Sequence, residues 1–344
     1  MSALRYGAIR LGFEALALSR IPALVRRFSS CRGVILTLHR VLPELPADFA
    51  PNAILQVTPS FLDAALKRFR RLGVDIVSLD EALTRLAAPE RGRPFVVLTF
   101  DDAYRDNLKF ALPVLRRHRA PFTLYVPTAF VDGTGVVWWQ ALEDIIAERE
   151  AIAVPEDDET NYLPTTTTAE KEAAFRALYR RMRTTPEPER VALMALLADQ
   201  YGLDLAAHCR SLVMDWSELA AFARDPLCTI GAHTVHHYEL SKLPPAQVRS
   251  EITQSVRVIE AQFGVAPTHL SYPIGGKASA GQREYRIAEE LGLRSAVTTL
   301  PGGLYPRHLQ SLHALPRVSL NGLFQAPRYV DVFATGALFS RMPG

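Results

Sequence analysis

Short runs of consecutive apolar residues alternate along this chain with stretches in which apolar positions recur every three or four residues. The runs at 33–38, 75–79, 95–100, 121–126, 228–230, 269–272 and 295–299 have the length and continuity of buried strands, and 315–320 is strand-like as well. Helical periodicity fills 59–72, 104–118, 244–263 and 282–291. Strands that alternate with helices predict parallel pairing, because the return path between parallel strands has to cross the sheet. The expected fold is therefore α/β, a barrel or barrel-like sheet.

Between about 140 and 215 the pattern becomes helical. Two amphipathic helices are expected over 169–183 and 188–201, then a shorter one over 217–223 capped by Asp215 or Ser217. The acidic, Thr-rich stretch 155–168 lacks strong periodicity and reads as a mobile loop. This insertion either shapes a substrate cleft or only decorates the surface. The domain organisation that follows is an N-terminal amphipathic helical segment (1–30), one main domain (31–325) carrying the insertion, and a C-terminal tail (326–344).

At 344 residues and 48% hydrophobic content, the chain can bury a core of the size a barrel of roughly 250 residues needs. A net charge of +3, with no Lys/Arg-rich run interleaved with aromatics, sets nucleic acid aside as a partner. Three cysteines without Cys-x-x-Cys spacing argue for a reducing compartment. Residues 4–28 are apolar at helical spacing, but Arg10, Glu14 and Arg20 interrupt any signal-peptide core or membrane span. With Arg5, Arg10, Arg20, Arg26 and Arg27 against the single Glu14, this segment either packs on the barrel or lies on an anionic bilayer surface. The expected location is cytoplasmic, with peripheral contact at the inner membrane face through residues 1–28 as the second alternative.

Candidate chemistry gathers at two strand ends. Asp101 and Asp102 follow the run Phe95–Phe100, and His233-Thr234-Val235-His236-His237 follows another. Alternation along a strand lets adjacent carboxylates diverge at its end, one to ligate a metal and one to move protons. His233 and His237 are four apart, as on one side of a helical turn. Asp-Asp alone is more often a cap or turn, but both elements follow buried-strand patterns and would meet at one end of the sheet. Two imidazoles and one carboxylate leave at least one metal position for water.

Thr99-Phe100-Asp101-Asp102 and His233-Thr234-x-x-His237 resemble the two metal-site motifs of NodB-type polysaccharide deacetylases, carbohydrate esterase family 4. Ser271-Tyr272-Pro273-Ile274-Gly275 is similar to the family's Arg-x-Pro-x-Gly motif and follows in the expected order. The resemblance implies a distorted (β/α) barrel with fewer than eight strands. It also implies a divalent ion, zinc by its ligand set, held by Asp102, His233 and His237, with Asp101 as general base. The backbone N–H near Tyr104 would donate to the oxyanion, and Tyr272 and Pro273 would shape the acetyl pocket. Trp138 and Trp139 resemble the aromatic rim on which a sugar stacks, although adjacent tryptophans tend to divide between core and cleft.

Two departures from the family pattern carry further expectations. The usual C-terminal Leu-x-His-Asp motif is missing. A branch acting on poly-N-acetylglucosamine has a His at the end of the first strand, which makes His39 the expected general acid, with His313 as the lesser candidate. Ser271 stands where the family's Arg pairs with the catalytic Asp, and Arg317 is expected to supply that charge from another strand. His236 is excluded from the ligand set. The expected activity is metal-dependent removal of N-acetyl groups from a hexosamine-containing glycan or glycan precursor. The alternatives are deformylation or deacylation of a lipid-linked amino sugar, and a non-catalytic glycan-binding protein on the same barrel.

Overall fold

The computed structural model describes residues 3–156 and 159–339. Eight parallel strands form the main sheet: β1 (Gly33–Leu38), β2 (Asp75–Ile76), β3 (Phe95–Phe100), β4 (Phe122–Val126), β5 (Cys228–Ala232), β6 (His269–Ser271), β7 (Ser295–Val297) and β8 (Arg317–Ser319). Seven of them follow the order β7-β6-β5-β4-β3-β1-β8, and β2 pairs with the start of β3 as a short spur. Leu315, just ahead of β8, bridges Val297 of β7 and closes the ring. A distorted (β/α) barrel with fewer than eight strands in its wall is thus what the chain builds. Strands β1, β3 and β4 are buried along their whole length, which is why they read as continuous apolar runs.

Alternation along the strands divides the core. Ile35, Val97, Tyr125, Val297 and Leu315 point into the barrel, while Leu36, Leu98, Leu124 and Leu270 face the helices outside. Gly231 is required by this inner packing, since a Cβ there would lie 2.4 Å from the Tyr125 ring. The β1–β3 register, from Gly33 opposite Phe95 to Leu38 opposite Phe100, ends both strands at one level. Asp101 N–H then donates to the Leu38 carbonyl at 3.0 Å, and His39 and Asp101 emerge side by side.

Several expectations need correction. The stretch expected as a mobile loop, of which 157–158 lie outside the described residues, is largely a hairpin: Ala151–Glu156 pairs antiparallel with Glu159–Pro164. Ile152 and Val154 are buried at period two, a signal too short to stand out beside the acidic residues that follow. Only Asp75–Ile76 of the run 75–79 is strand, because Ser78 caps a helix over Leu79–Ala87 by accepting from Glu81 N–H. The 104–118 helix starts at Arg105, passes through a π-helical turn at Asn107–Ala111 and is α-helical again over Leu112–Arg117.

The insertion contains helices Trp138–Ala147, Thr168–Thr184, Glu187–Tyr201 and Leu205–Leu212 around that hairpin, and Asp215 caps the Trp216–Ala223 helix. The N-terminal segment is two helices, Ala3–Leu18 and Ile21–Phe28. Phe13 of the first lies 4.8 Å from Phe324, 5.4 Å from Tyr329 and 5.3 Å from Phe333, so residues 326–339 are packed against it and do not trail as a free tail. No helix among the described residues is long and apolar enough to cross a membrane.

Candidate active site

Backbone conformation marks the site before any side chain is considered. Asp102, Ala103, Thr234, His237 and Ile274 all have positive φ although none is glycine. Such residues cost free energy and persist where the surroundings force them, often at functional positions. Here they fall on the three segments that leave β3, β5 and β6.

The left-handed turn at Asp102 and Ala103 sends the two carboxylates different ways. Asp102 is 2% exposed, and its Oδ1 lies 3.5 Å from His233 Nε2 and 3.4 Å from His237 Nε2. All three side chains are buried, with their candidate ligand atoms within 4.8 Å of one another. Asp102 Oδ1 and His237 Nδ1 have no hydrogen-bond partner among the described residues. An acceptor left bare between two imidazoles is costly unless a cation occupies the gap, so the donor set fits a divalent metal. His233 Nδ1 lies 2.6 Å from the Ser271 carbonyl, which fixes the proton on Nδ1 and leaves Nε2 free for a metal. Burial pushes Asp102 up, but the imidazoles of His233, His237 and His39 around it outweigh burial and hold its carboxyl below the usual range. Burial pushes the His237 imidazole down to about 3 against the opposing pull of Asp102, so it stays neutral.

The two histidines do not share a helical turn. They stand on an open loop, where Thr234 Oγ1 accepts from His237 N–H at 3.1 Å. Glu251, from the Pro245–Phe263 helix, clamps that loop by accepting from the N–H groups of Val235 and His236 and from His236 Nδ1 at 2.6 Å. His236 is thereby turned away from the donor set. Glu251 carries no motif and could have been found only as an acid on an otherwise half-buried helix face.

Asp101 faces the barrel interior, where Arg317 grips it with Nη1 2.8 Å from Oδ1 and Nη2 2.7 Å from Oδ2. Both are almost fully buried. The guanidinium is further held by Thr99 Oγ1 at 3.0 Å, Ser271 Oγ at 2.9 Å and the Thr298 carbonyl at 2.9 Å. Ser271 therefore leaves room for an arginine that arrives from β8, as the substitution at the third motif suggested. Burial pushes the Asp101 carboxyl up, yet Arg317 outweighs it and holds the carboxyl well below the ordinary carboxylate range.

His39 stands partly exposed at the end of β1, with Asn107 Nδ2 donating to its carbonyl at 2.9 Å. Burial pushes its imidazole down while the nearby Asp102 and Asp101 pull it up. His313 lies elsewhere: its Nε2 is 2.7 Å from the Leu293 carbonyl. Tyr104 is buried, and its hydroxyl accepts from Trp139 Nε1 at 2.9 Å. The tryptophans divide, but neither is an exposed rim. Trp139 lies 5.0 Å from His237, whereas Trp138 lies 5.1 Å from Tyr179 inside the insertion, and both are buried. The Tyr272 ring is likewise taken up by packing: it lies 5.4 Å from Tyr285 and its hydroxyl donates to the His313 carbonyl, directing it outward, away from the donor set. Pro273 is buried in the turn that follows.

The insertion reaches the site from two sides. Met214 N–H donates to the Ala103 carbonyl, directly beyond the Asp pair. Glu187, paired with Arg190 at 2.6 Å, accepts from Glu239 N–H, two residues past His237. The Arg190 guanidinium lies over both Trp138 and Tyr238. The insertion thus buttresses both loops that carry the Asp-His-His set.

A parallel barrel with a buried Asp-His-His set at its strand ends defines a class, and the family profile described as polysaccharide deacetylase matches residues 88–296. The chain belongs to the polysaccharide deacetylase family. Among curated proteins it is similar to the putative polysaccharide deacetylase YxkH of Bacillus subtilis (strain 168), 33% identical over 93 residues, which are 27% of this chain and 32% of that protein. It is also 37% identical over 97 residues to a gellan lyase of Bacillus sp., covering 27% of this chain and 4% of that protein. The chain thus spans about a third of the first relative's length and a small part of the second's. Among solved structures, the Streptococcus pyogenes deacetylase PplD in complex with acetate superposes with a TM-score of 0.59 at 17% identity, over 88% of this chain and 97% of that one. IcaB from Ammonifex degensii superposes with a TM-score of 0.54 at 16% identity over the same shares. At such identities these likenesses establish the fold. Asp101, Asp102, His233 and His237 lie inside the matched stretch; His39 and Arg317 lie outside it.

Proposed function

We propose that this chain is a metal-dependent hydrolase that removes N-acetyl groups from a hexosamine-containing polysaccharide, oligosaccharide or glycan precursor. The observation that carries the reading is the bare Asp102 Oδ1 between two buried imidazoles, beside a second carboxylate held off that gap by Arg317. Asp102, His233 and His237 would hold the ion, zinc by donor type. A divalent ion there supplies Lewis-acid polarisation of the amide carbonyl and acidifies water beside it.

The remaining work falls to the chain. Asp101, kept ionised by Arg317, takes the proton from the attacking water. The Tyr104 backbone N–H, just after the left-handed turn, donates to the oxyanion. His39 delivers a proton to the leaving nitrogen as the C–N bond breaks, releasing acetate and a free amine. Tyr272 and Pro273 contribute to the acyl pocket through the turn they build, and Trp139 contributes by bracing His237.

A second reading, deacylation or deformylation of a lipid-linked amino sugar at the inner face of a membrane, is favoured by the exposed apolar side chains of the N-terminal helices. A non-catalytic glycan-binding role is disfavoured by the retention of both aspartates and both ligand histidines. The test is acetate release from N-acetylglucosamine oligomers and from a lipid-linked acetamido sugar, before and after chelation. Chelator-sensitive release from the oligomers supports the glycan reading, and release only from the lipid carrier supports the second. Failure on both, by protein that binds metal, overturns the deacetylase reading.

A further inference from the structure

Ten large hydrophobic side chains stand exposed among the described residues, and five of them, Leu11, Leu18, Ile21, Leu24 and Phe28, fall on the two N-terminal helices. Their spacing is orderly. Leu11 and Leu18 are seven apart and share a face of the first helix at 72% and 81% exposure, while Phe13 projects the opposite way into the barrel's aromatic cluster. Ile21, Leu24 and Phe28 share a face of the second helix, whose Pro22 is buried instead. The first helix is therefore apolar on two sides, one packed against the domain and one turned to water, and the second, with only Pro22 buried, turns its large apolar side chains to water, an arrangement that calls for a second partner.

Charge identifies that partner. Residues 1–28 contain five arginines and one glutamate, an excess larger than the +3 of the whole chain, so the remaining residues are net negative. Glu14 is consumed by Arg328, whose Nε lies 2.8 Å away, and by the Tyr329 hydroxyl. Arg20 and Arg27 are exposed beside the apolar residues, and the Arg27 guanidinium lies 5.6 Å from the Phe28 ring. The helices are also fixed to the domain: Arg10 donates to the Leu323 carbonyl and Arg26 to the Asp331 carbonyl, while Asp331 pairs with Arg68 at 2.6 Å. A second copy of this surface would bring like charges together, whereas an anionic bilayer offers apolar depth beneath negative headgroups.

We propose that the outward face of these two helices is a docking surface for an anionic lipid bilayer, inserted through Leu11, Leu18, Ile21, Leu24 and Phe28 and flanked by Arg20 and Arg27. Docking is independent of turnover, so its test needs no substrate. The full chain is sedimented with phosphatidylcholine vesicles with and without phosphatidylglycerol, at low and high salt. The expected result is binding that requires phosphatidylglycerol and weakens with salt. Leu24→Glu/Phe28→Glu should lower it roughly tenfold or more without moving the thermal midpoint, since both side chains already face water. Arg20→Gln/Arg27→Gln should reduce the preference for anionic lipid. Wild-type protein left in the supernatant with either vesicle overturns the proposal. So does a dimer, seen by sedimentation velocity and abolished by the glutamate substitutions, in protein that ignores vesicles.

Discussion

Replacing Arg317 by Met keeps most of the side chain's volume and removes its charge. Asp101 then remains ionised in a nearly dry site with only Ser271 Oγ, 3.3 Å away, near its carboxylate. Removing one partner of a buried, hydrogen-bonded pair costs about 3–5 kcal/mol at neutral pH, a large share of the roughly 5–15 kcal/mol that holds a typical domain folded. The pH dependence gives the mechanism away. In the wild type Asp101 lies below its unfolded value of about 3.9, so its contribution is present above that pH and fades as pH falls through the lower folded value. In the variant burial is opposed only by Ser271 Oγ and the weaker influence of His233 and His39, so the carboxyl shifts up towards and past its unfolded value, and acidification relieves the site by protonating it. Urea unfolding of both proteins between pH 7 and pH 4 should therefore show a deficit that shrinks toward acid. Asp101→Asn combined with Arg317→Met should recover much of the loss, because neither charge is then stranded. A deficit below about 1 kcal/mol at pH 7, or one of constant size across the range, would refute the assignment of Arg317 as the cation that stabilises Asp101.

Glu251→Ala frees the Val235 and His236 N–H groups and should weaken metal affinity roughly 10- to 100-fold, read by competition with a chromogenic chelator, while unchanged affinity would deny the clamp a role. Glu187→Ala strands Arg190 and the Glu239 N–H, and should weaken metal binding in the same assay although Glu187 lies in the insertion; a loss of stability alone would make the insertion a mere support. His39→Ala should lower turnover by roughly 10²- to 10⁴-fold with metal content unchanged, and parallel loss of both would make His39 a structural residue.

The barrel was legible because β1, β3 and β4 are buried on both faces and announce themselves as apolar runs, while the helices between them keep their own period. Asp102, His233 and His237 could be grouped from sequence because both motifs follow buried-strand patterns, and the strands that carry them, β3 and β5, end at one side of the sheet with only β4 between them. Arg317 was inferred from a missing charge: Ser271 left a carboxylate without a cation, and the nearest strand-like segment closing the ring carried one. Other features escaped for physical reasons. The His loop owes its shape to positive φ at Thr234 and His237 and to Glu251 fourteen residues further on, none of which a four-residue spacing reveals. The Ala151–Glu156 hairpin strand offers just the period-two pair Ile152 and Val154 as a buried apolar signal among its described side chains, so acidic composition masked it. Tyr272 reverses face relative to Ser271 by strand alternation, which sends its ring outward once Ser271 faces in.

In the proposed reaction Asp102, His233 and His237 hold a catalytic metal while Asp101 handles the proton. Metal content and acetate release, measured on the same preparations of wild type, Asp101→Asn and His233→Ala, test it most directly. The expected results are chelator-sensitive release by the wild type, retained metal without release in Asp101→Asn, and lost metal affinity in His233→Ala. Undiminished release by Asp101→Asn, or wild-type metal affinity in His233→Ala, would contradict it.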